Sequence, residues 1–214
     1  TVSGGVVKTT SQTEEQTYAA YNNIAGATIT VNSGAVSAGS GDAVANYNGG
    51  TIVINGGTVS SETGMAVFNQ GDSVAVIHNG TIESVSGYGV LNYGSLTIDG
   101  GAVSSDESVA LASFAKGGKD IRLSEGTITA HAAAAVYNNG SGEIKLLGST
   151  VTTTAPDYPA VVNGATGTVS VIGGIITAAG NNPVFYNVSS GTIAITGGTY
   201  SGVYNASATG SVKI

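Results

Sequence analysis

An asparagine preceded two positions earlier by an apolar residue recurs along the whole chain. It stands at Asn22, Asn46, Asn69, Asn92, Asn138, Asn163, Asn187 and Asn205, with Ser113 in the same phase between Asn92 and Asn138. A second landmark, a glycine two positions before an apolar residue, recurs at Gly5, Gly34, Gly57, Gly80, Gly101, Gly126, Gly174 and Gly198, with Ser149 in the remaining place. From glycine to the next asparagine the distance is 12 residues after Gly34, Gly57 and Gly80, and from asparagine to the next glycine position it is 11 after Asn46, Asn69, Asn138, Asn163 and Asn187. Period and internal phase both persist, so the chain is an array of units of about 23 residues.

Within each unit the pattern alternates. Three and five residues before the glycine lie pairs such as Ile29/Val31, Ile52/Ile54, Leu96/Ile98 and Ile144/Leu146; two residues after it lie Val36, Val59, Ile82, Val103 and Ile128. Two residues before each asparagine lie Val44, Val67, Val90, Leu111, Val136, Val161 and Phe185. Period-two alternation in β-branched residues, bounded by Gly and Asn, predicts three short strands per unit and no helix. One unit cannot bury its own apolar face, whereas stacked units can. The expectation is therefore an all-β, single-domain right-handed parallel β-helix of about nine coils over residues 1–214. Equivalent residues would stack about 4.8 Å apart, giving a rod on the order of 40 Å long. The asparagines are expected to form an inward ladder that satisfies corner backbone groups, and the glycines to turn corners at positive φ. Asn139, Asn187 and Asn205 match the glycosylation acceptor pattern, but a ladder would bury the last two.

Irregularities are confined to a few places. Residues 9–17, with Glu14 and Glu15, and residues 152–159, with two prolines, read as longer corner loops. The Ser113 unit is lengthened by Lys116-Gly-Gly-Lys119, and the step from Gly198 to Asn205 is only 7 residues, a tighter coil. The chain begins and ends in mid-coil without a capping helix, which predicts neighbouring repeats or end-to-end and edge self-association.

Only 9% of residues are charged and the net charge is −7, which argues against nucleic acid. No apolar run approaches the ~18 residues of a membrane-spanning helix. The sequence has no cysteine, hence no disulfide framework or thiolate metal site.

Segments such as Thr51-Ile-Val-Ile-Asn-Gly-Gly-Thr-Val59 and Ala66-Val-Phe-Asn69 resemble the parallel β-helix repeats of secreted and cell-wall-attached bacterial surface proteins, in particular the Gly-Gly-Thr-Val and Ala-Val-x-Asn arrays of gut-type Gram-positive bacteria. The resemblance covers nearly the whole chain. It implies an extracellular or cell-wall location and the wider pectate-lyase-like superfamily. Adhesins, autotransporter stalks, polysaccharide lyases and glycosidases share that fold, so fold alone does not select among them.

Three groups of side chains are candidates for function. Lys116, Lys119, Asp120, Arg122, Glu143 and Lys145 form the one dense charge cluster. Coil phase places Asp120 beside Glu143 and Arg122 beside Lys145, as a lyase-like patch with Arg122 or Lys145 as base or as a surface charge lattice. His78 and His131 lie far apart in coil phase, so no His dyad or metal pair is apparent, and no cofactor is expected. The second group is a pair of outward hydroxyl ranks. Thr58, Thr81, Thr127, Thr150 and Thr199, joined by Thr129 and Thr152, resemble the Thr-x-Thr face of ice-binding solenoids, although Lys8, Glu83, Ala102 and Ile175 interrupt the ranks. The third is an outward row just before the asparagines, in which Tyr21, Phe68, Tyr137, Tyr186 and Tyr204 are aromatic. Such a row suits stacking on sugars or docking on a partner, unless neighbouring loops cover it. These readings favour a non-enzymatic extracellular adhesin or display stalk that binds glycan or a host or bacterial surface protein. An ice-binding solenoid and a carbohydrate-active β-helix are the alternatives.

Overall fold

The computed structural model describes residues 1–10 and 17–214, so the candidate insertion around Glu14 and Glu15 lies outside the described residues. The described residues form strands joined by turns, with no helix. All strand pairs are parallel, and each landmark sits over its counterpart one coil away. In the row before the glycines, Ile29 pairs with Ile52, then Ala75, Leu96, Ile121, Ile144, Val169, Ile193 and Val212 in turn. The row before the asparagines is a sheet of nine strands, from Tyr18–Asn22 to Val203–Asn205. The chain is thus a parallel β-solenoid of about nine turns.

Alternation sends one set of side chains inward, and these form one continuous core. Ile52, Ile54, Ile77, Ile82, Leu111 and Phe185 are among its fully buried members. Burying each such side chain contributes about 1.5–3 kcal/mol, and no unit can supply its own partners.

The first two strand rows are not separate sheets. Val2–Thr9, Thr28–Ala38, Ser95–Ser105 and Asp120–Ala130 each run unbroken through the glycine corner and fuse both rows into one sheet of 14 strands. In those four units the expected pair of short strands is a single bent one. The bend is a backbone property. All eight landmark glycines have positive φ, and at Gly57 (φ +83°) a Cβ would lie 2.6 Å from the Gly34 carbonyl oxygen. Ser149 does not adopt a positive φ, so its corner is built differently. Its hydroxyl is buried without a hydrogen-bond partner among the described residues.

The strand Thr150–Thr153 includes two residues of the expected 152–159 loop; Thr152 pairs with Thr177 and the Thr153 side chain is buried. In the tight last coil the strand after Gly198 shrinks to one bridge, between Ile175 and Thr199.

The asparagine ladder runs through the third corner. Each Nδ2 donates to the next Oδ1: Asn22 to Asn46 at 2.9 Å, Asn46 to Asn69 at 3.3 Å and Asn69 to Asn92 at 2.8 Å. It resumes from Asn138 to Asn163 at 3.1 Å, Asn163 to Asn187 at 3.0 Å and Asn187 to Asn205 at 3.0 Å. The same amides also cap corner carbonyls, as Asn69 does with Ser73 and Ser95. At Ser113 the chain of amides is cut, because a hydroxymethyl group is too short to reach either neighbour. Asn138 Oδ1 is left buried with no donor among the described residues. Asn205, expected to be inaccessible, is exposed. A second polar ladder went unread in the sequence. Ser61, Ser84 and Ser105 are buried at the ends of their strands, donate to the carbonyls of Gly41, Gly64 and Gly87, and accept an N–H from three residues on.

Candidate ligand-binding face

The inward ladder asparagine fixes the direction of its neighbours. If the asparagine points in, the residues on both sides of it point out. The outer face of the nine-stranded sheet therefore carries two adjacent rows, and only the first was singled out above. The second supplies Tyr47, Tyr93 and Phe114. Residues at the strand entrances, Tyr18, Met65, Tyr88 and Val109, close over the other side.

The result corrects the picture of an exposed apolar row. Phe68 is 9% exposed, Leu91 8%, and Ala45 and Ala112 fully buried, forming a small apolar cluster outside the main core. Phe68 is thus the floor of a cleft rather than a free platform. Tyr137 and Tyr186 are half-buried, whereas Tyr21 and Tyr204 remain 49% and 53% exposed. The aromatic rings touch in sequence. Tyr18 stacks on Tyr21 with centroids 4.7 Å apart, Tyr21 meets Tyr47 at 5.4 Å, Tyr47 meets Phe68 edge-on at 5.1 Å, and Phe68 meets Tyr93 at 6.0 Å. Tyr93 then stacks on Phe114 at 5.3 Å, and Phe114 reaches Tyr137 at 6.5 Å. The Tyr137 ring lies over Gly164, where a Cβ would come within 2.6 Å of it. Tyr186 and Tyr204 form a separate stack, 5.4 Å apart and 7° from parallel.

A cleft of about 630 Å³ opens beside the first aromatic group, between Tyr18, Tyr47, Met65, Phe68, Leu91 and Tyr93 and the turns around Ser40 and Thr63. Two polar features face it. The Tyr18 and Tyr47 hydroxyls are 3.1 Å apart. Burial, that hydroxyl contact and the nearby Asp42 hold the Tyr47 phenol well above its ordinary value. The Asp42 side chain is buried, with Oδ1 accepting the Met65 N–H at 3.0 Å. Burial pushes its carboxyl up to about 6, and the Met65 hydrogen bond only partly offsets this. Asp42 stands in the strand-entrance row, in register with Tyr18, and nothing in its local sequence distinguishes it from a solvated aspartate.

Tyr93 is also the wall of a second depression, of about 810 Å³, shared with Asn48, Gln70, Asp72, Phe114, Lys116 and Lys119. Only two residues, Tyr93 and Gly94, separate the ladder position from the following strand there, whereas 114–119 is a six-residue turn. The long turn folds back over the short one, and Lys119 pairs with Asp72 two coils away. That hydrogen bond holds the Asp72 carboxyl below its usual range. A third cleft, of about 640 Å³, adjoins Tyr186 and Tyr204 and is lined by Asp157, Asn181, Asn182 and Pro183.

The structure splits the expected charge cluster. Asp120 is beside Glu143 and Arg122 beside Lys145, as the phase requires, but Lys119 has turned away to Asp72. Lys145 lies 3.7 Å from Asp120 and 3.5 Å from Glu143, and the Ser170 hydroxyl donates to Glu143. An ammonium shared by two carboxylates is the arrangement of a surface charge lattice. His78 pairs with Asp99 at 2.8 Å, and His131 is near Thr154 and Asp106. Among the described residues no group of three or more His, Asp or Glu side chains is placed to hold a metal ion.

The hydroxyl ranks stack as the phase requires. Thr58 pairs with Thr81 and Thr127 with Thr150, and the second rank brings Thr129 beside Thr152. Ala102 stands between Thr81 and Thr127, and Ile175, 51% exposed, between Thr150 and Thr199. Glu83 stands in the second rank between Ser60 and Ser104. No family model matches the chain, and no curated protein and no solved structure matches it.

Proposed function

We infer that this chain is a non-enzymatic surface β-solenoid that binds glycan on the outer face of its nine-stranded sheet. The observation that carries the reading is the aromatic cleft beside Asp42. Apolar ring faces and edges, phenol hydroxyls and the carboxyls of Asp42 and Glu62 border one depression. That combination matches the alternating C–H faces and hydroxyl edges of sugars. The low charge and the resemblance to bacterial surface repeats support an extracellular adhesin or display element. Against catalysis stands the lattice engagement of Lys145, the base candidate of the lyase-like patch. Glycoside hydrolysis uses two carboxylates flanking the scissile bond, and Asp42 and Glu62 both line the cleft, so product release is what separates binding from cleavage.

The test is incubation of the chain with a panel of immobilised plant, microbial and host glycans, scoring retention and product release together. Retention without release is the expected outcome, and Tyr93→Ala should weaken it. Release of oligosaccharide would replace the binding reading with an enzymatic one. Absence of retention across the panel would refute glycan binding.

A further inference from the structure

Of the three depressions on the aromatic face, the first and the third resemble each other. Phe68 and Tyr93 help to line one, Tyr186 and Tyr204 the other. Both open on the outer side of the same nine-stranded sheet. Four strand steps separate the strand of Leu91 from that of Tyr186, a gap of about 19 Å at the inter-strand spacing. Between them Phe114 and Val109 pack against the fully buried Ala112, and the Tyr137 ring lies against Gly164.

Their chemistry is alike. Each joins aromatic rings to carboxyl groups, Asp42 and Glu62 in the first and Asp157 in the third. The third adds the amides of Asn181 and Asn182. No Lys or Arg is among the described residues lining either cleft. The nearest cations, Lys116 and Lys119, stand in the neighbouring depression that Tyr93 also walls, and Lys119 is paired with Asp72; within the two clefts an acidic polysaccharide would meet carboxylates alone, which disfavours it.

We propose that the two clefts are separate subsites for one long, neutral, extended polysaccharide running along the solenoid axis. The inference rests on the glycan-binding reading and adds the ligand's length and charge class. One strand step of about 4.8 Å is close to the length of one extended pyranose residue, so a chain of about eight residues would span both clefts. Once one subsite is filled, the second binds at a high effective concentration, and avidity can exceed either site alone by about 10²-fold or more.

The experiment measures affinity for soluble neutral β-linked glucans and mannans, each as polymer and as oligomers of about four residues, with a polyuronate for comparison. Wild-type chain should bind at least one neutral polymer about tenfold or more tighter than its short oligomer, and the polyuronate weakly. Tyr93→Ala and Tyr204→Ala, checked for unchanged melting, should each abolish the polymer advantage while leaving oligomer binding at the remaining subsite. Polymer and oligomer binding of equal strength, or a polymer advantage insensitive to Tyr204→Ala, would overturn the two-subsite arrangement and leave glycan binding standing. Preference for the polyuronate would overturn the charge assignment. Failure of every glycan to bind would overturn the underlying reading, and this inference with it.

Discussion

Replacing Ser113 by asparagine should stabilise the solenoid. The gap at Ser113 leaves Asn138 Oδ1 buried and without a donor among the described residues, a state that costs about 1–3 kcal/mol. Asn92 and Asn138 lie one coil on either side of Ser113, two strand spacings apart at about 4.8 Å each. Ladder contacts elsewhere are 2.8–3.3 Å, so one amide fills this gap as it does in the other coils. The new side chain would donate to Asn138 and accept from Asn92. It would also retain the contact by which the Ala115 N–H now reaches Ser113 Oγ at 3.4 Å, since Asn22 Oδ1 accepts from the Ile24 N–H in the same way. Ordering the longer side chain offsets part of the gain. A net stabilisation of about 1–2 kcal/mol remains, which for a chain of this size raises Tm by about 2–8 °C. Thermal melting reads the total, and amide exchange at residues 113–115 reads the local effect, which matters because repeat arrays can open coil by coil. Ser113→Ala is the control. It leaves Asn138 orphaned and also removes the acceptor of the buried Ala115 N–H, so it should lower Tm rather than raise it. If Ser113→Asn melts at or below the wild-type temperature, or exchange at this corner does not slow, the ladder argument is wrong.

Asp42 makes stability fall with pH. Its folded-state carboxyl titrates at about 6 rather than 3.8, so between those values the unfolded chain releases a proton that the folded chain keeps. The cost accrues across that window and stays constant above it, reaching about 3 kcal/mol. Asp42→Asn, which can still accept the Met65 N–H, should therefore stabilise the protein at pH 7 and lose that advantage near pH 4 in urea titrations; an advantage independent of pH would refute it. Gly57→Ala combines a positive φ with a Cβ 2.6 Å from the Gly34 oxygen and should cost about 2–4 kcal/mol. Gly49→Ala, also at positive φ but with nothing within 4 Å of a Cβ, should cost only the backbone strain of about 1–2 kcal/mol. Equal losses in the two melts would show that the stacked corner has no steric requirement. Asn69→Ala removes a fully buried amide whose two N–H groups are shared among three acceptors and should cost about 3–5 kcal/mol. Asn205→Ala, at an exposed position, should cost under about 1 kcal/mol by denaturant unfolding.

Much of the architecture was legible because it is periodic. The inward alternation at residues such as Ile52 and Ile54, the asparagine ladder and the positive-φ glycines each recur in one phase, so a local pattern is reinforced at every turn. The Ser113 and Ser149 exceptions were legible as departures, but their consequences were not. An orphaned oxygen on Asn138 depends on the reach of a side chain one coil away. The serine ladder escaped notice because Ser61, Ser84 and Ser105 look like ordinary strand-end serines until burial is known.

The binding face was half legible. Tyr21, Phe68, Tyr137, Tyr186 and Tyr204 fall in the outward row that the ladder phase defines. Tyr47, Tyr93 and Phe114 could have been found by the same rule, since the residue after each inward asparagine must also point out. The cover over Phe68, the burial of Asp42 and the Lys119–Asp72 pair could not, because corner length varies from coil to coil and decides which loop lies over which strand. Periodicity is a one-dimensional property of the chain, and it sets strand register, core and corners before any contact is made. Clefts and shifted titrations arise where side chains from different coils meet in a dry space. Only the stacked structure brings Tyr18, Asp42, Met65 and Phe68 together and withdraws water from the carboxyl among them.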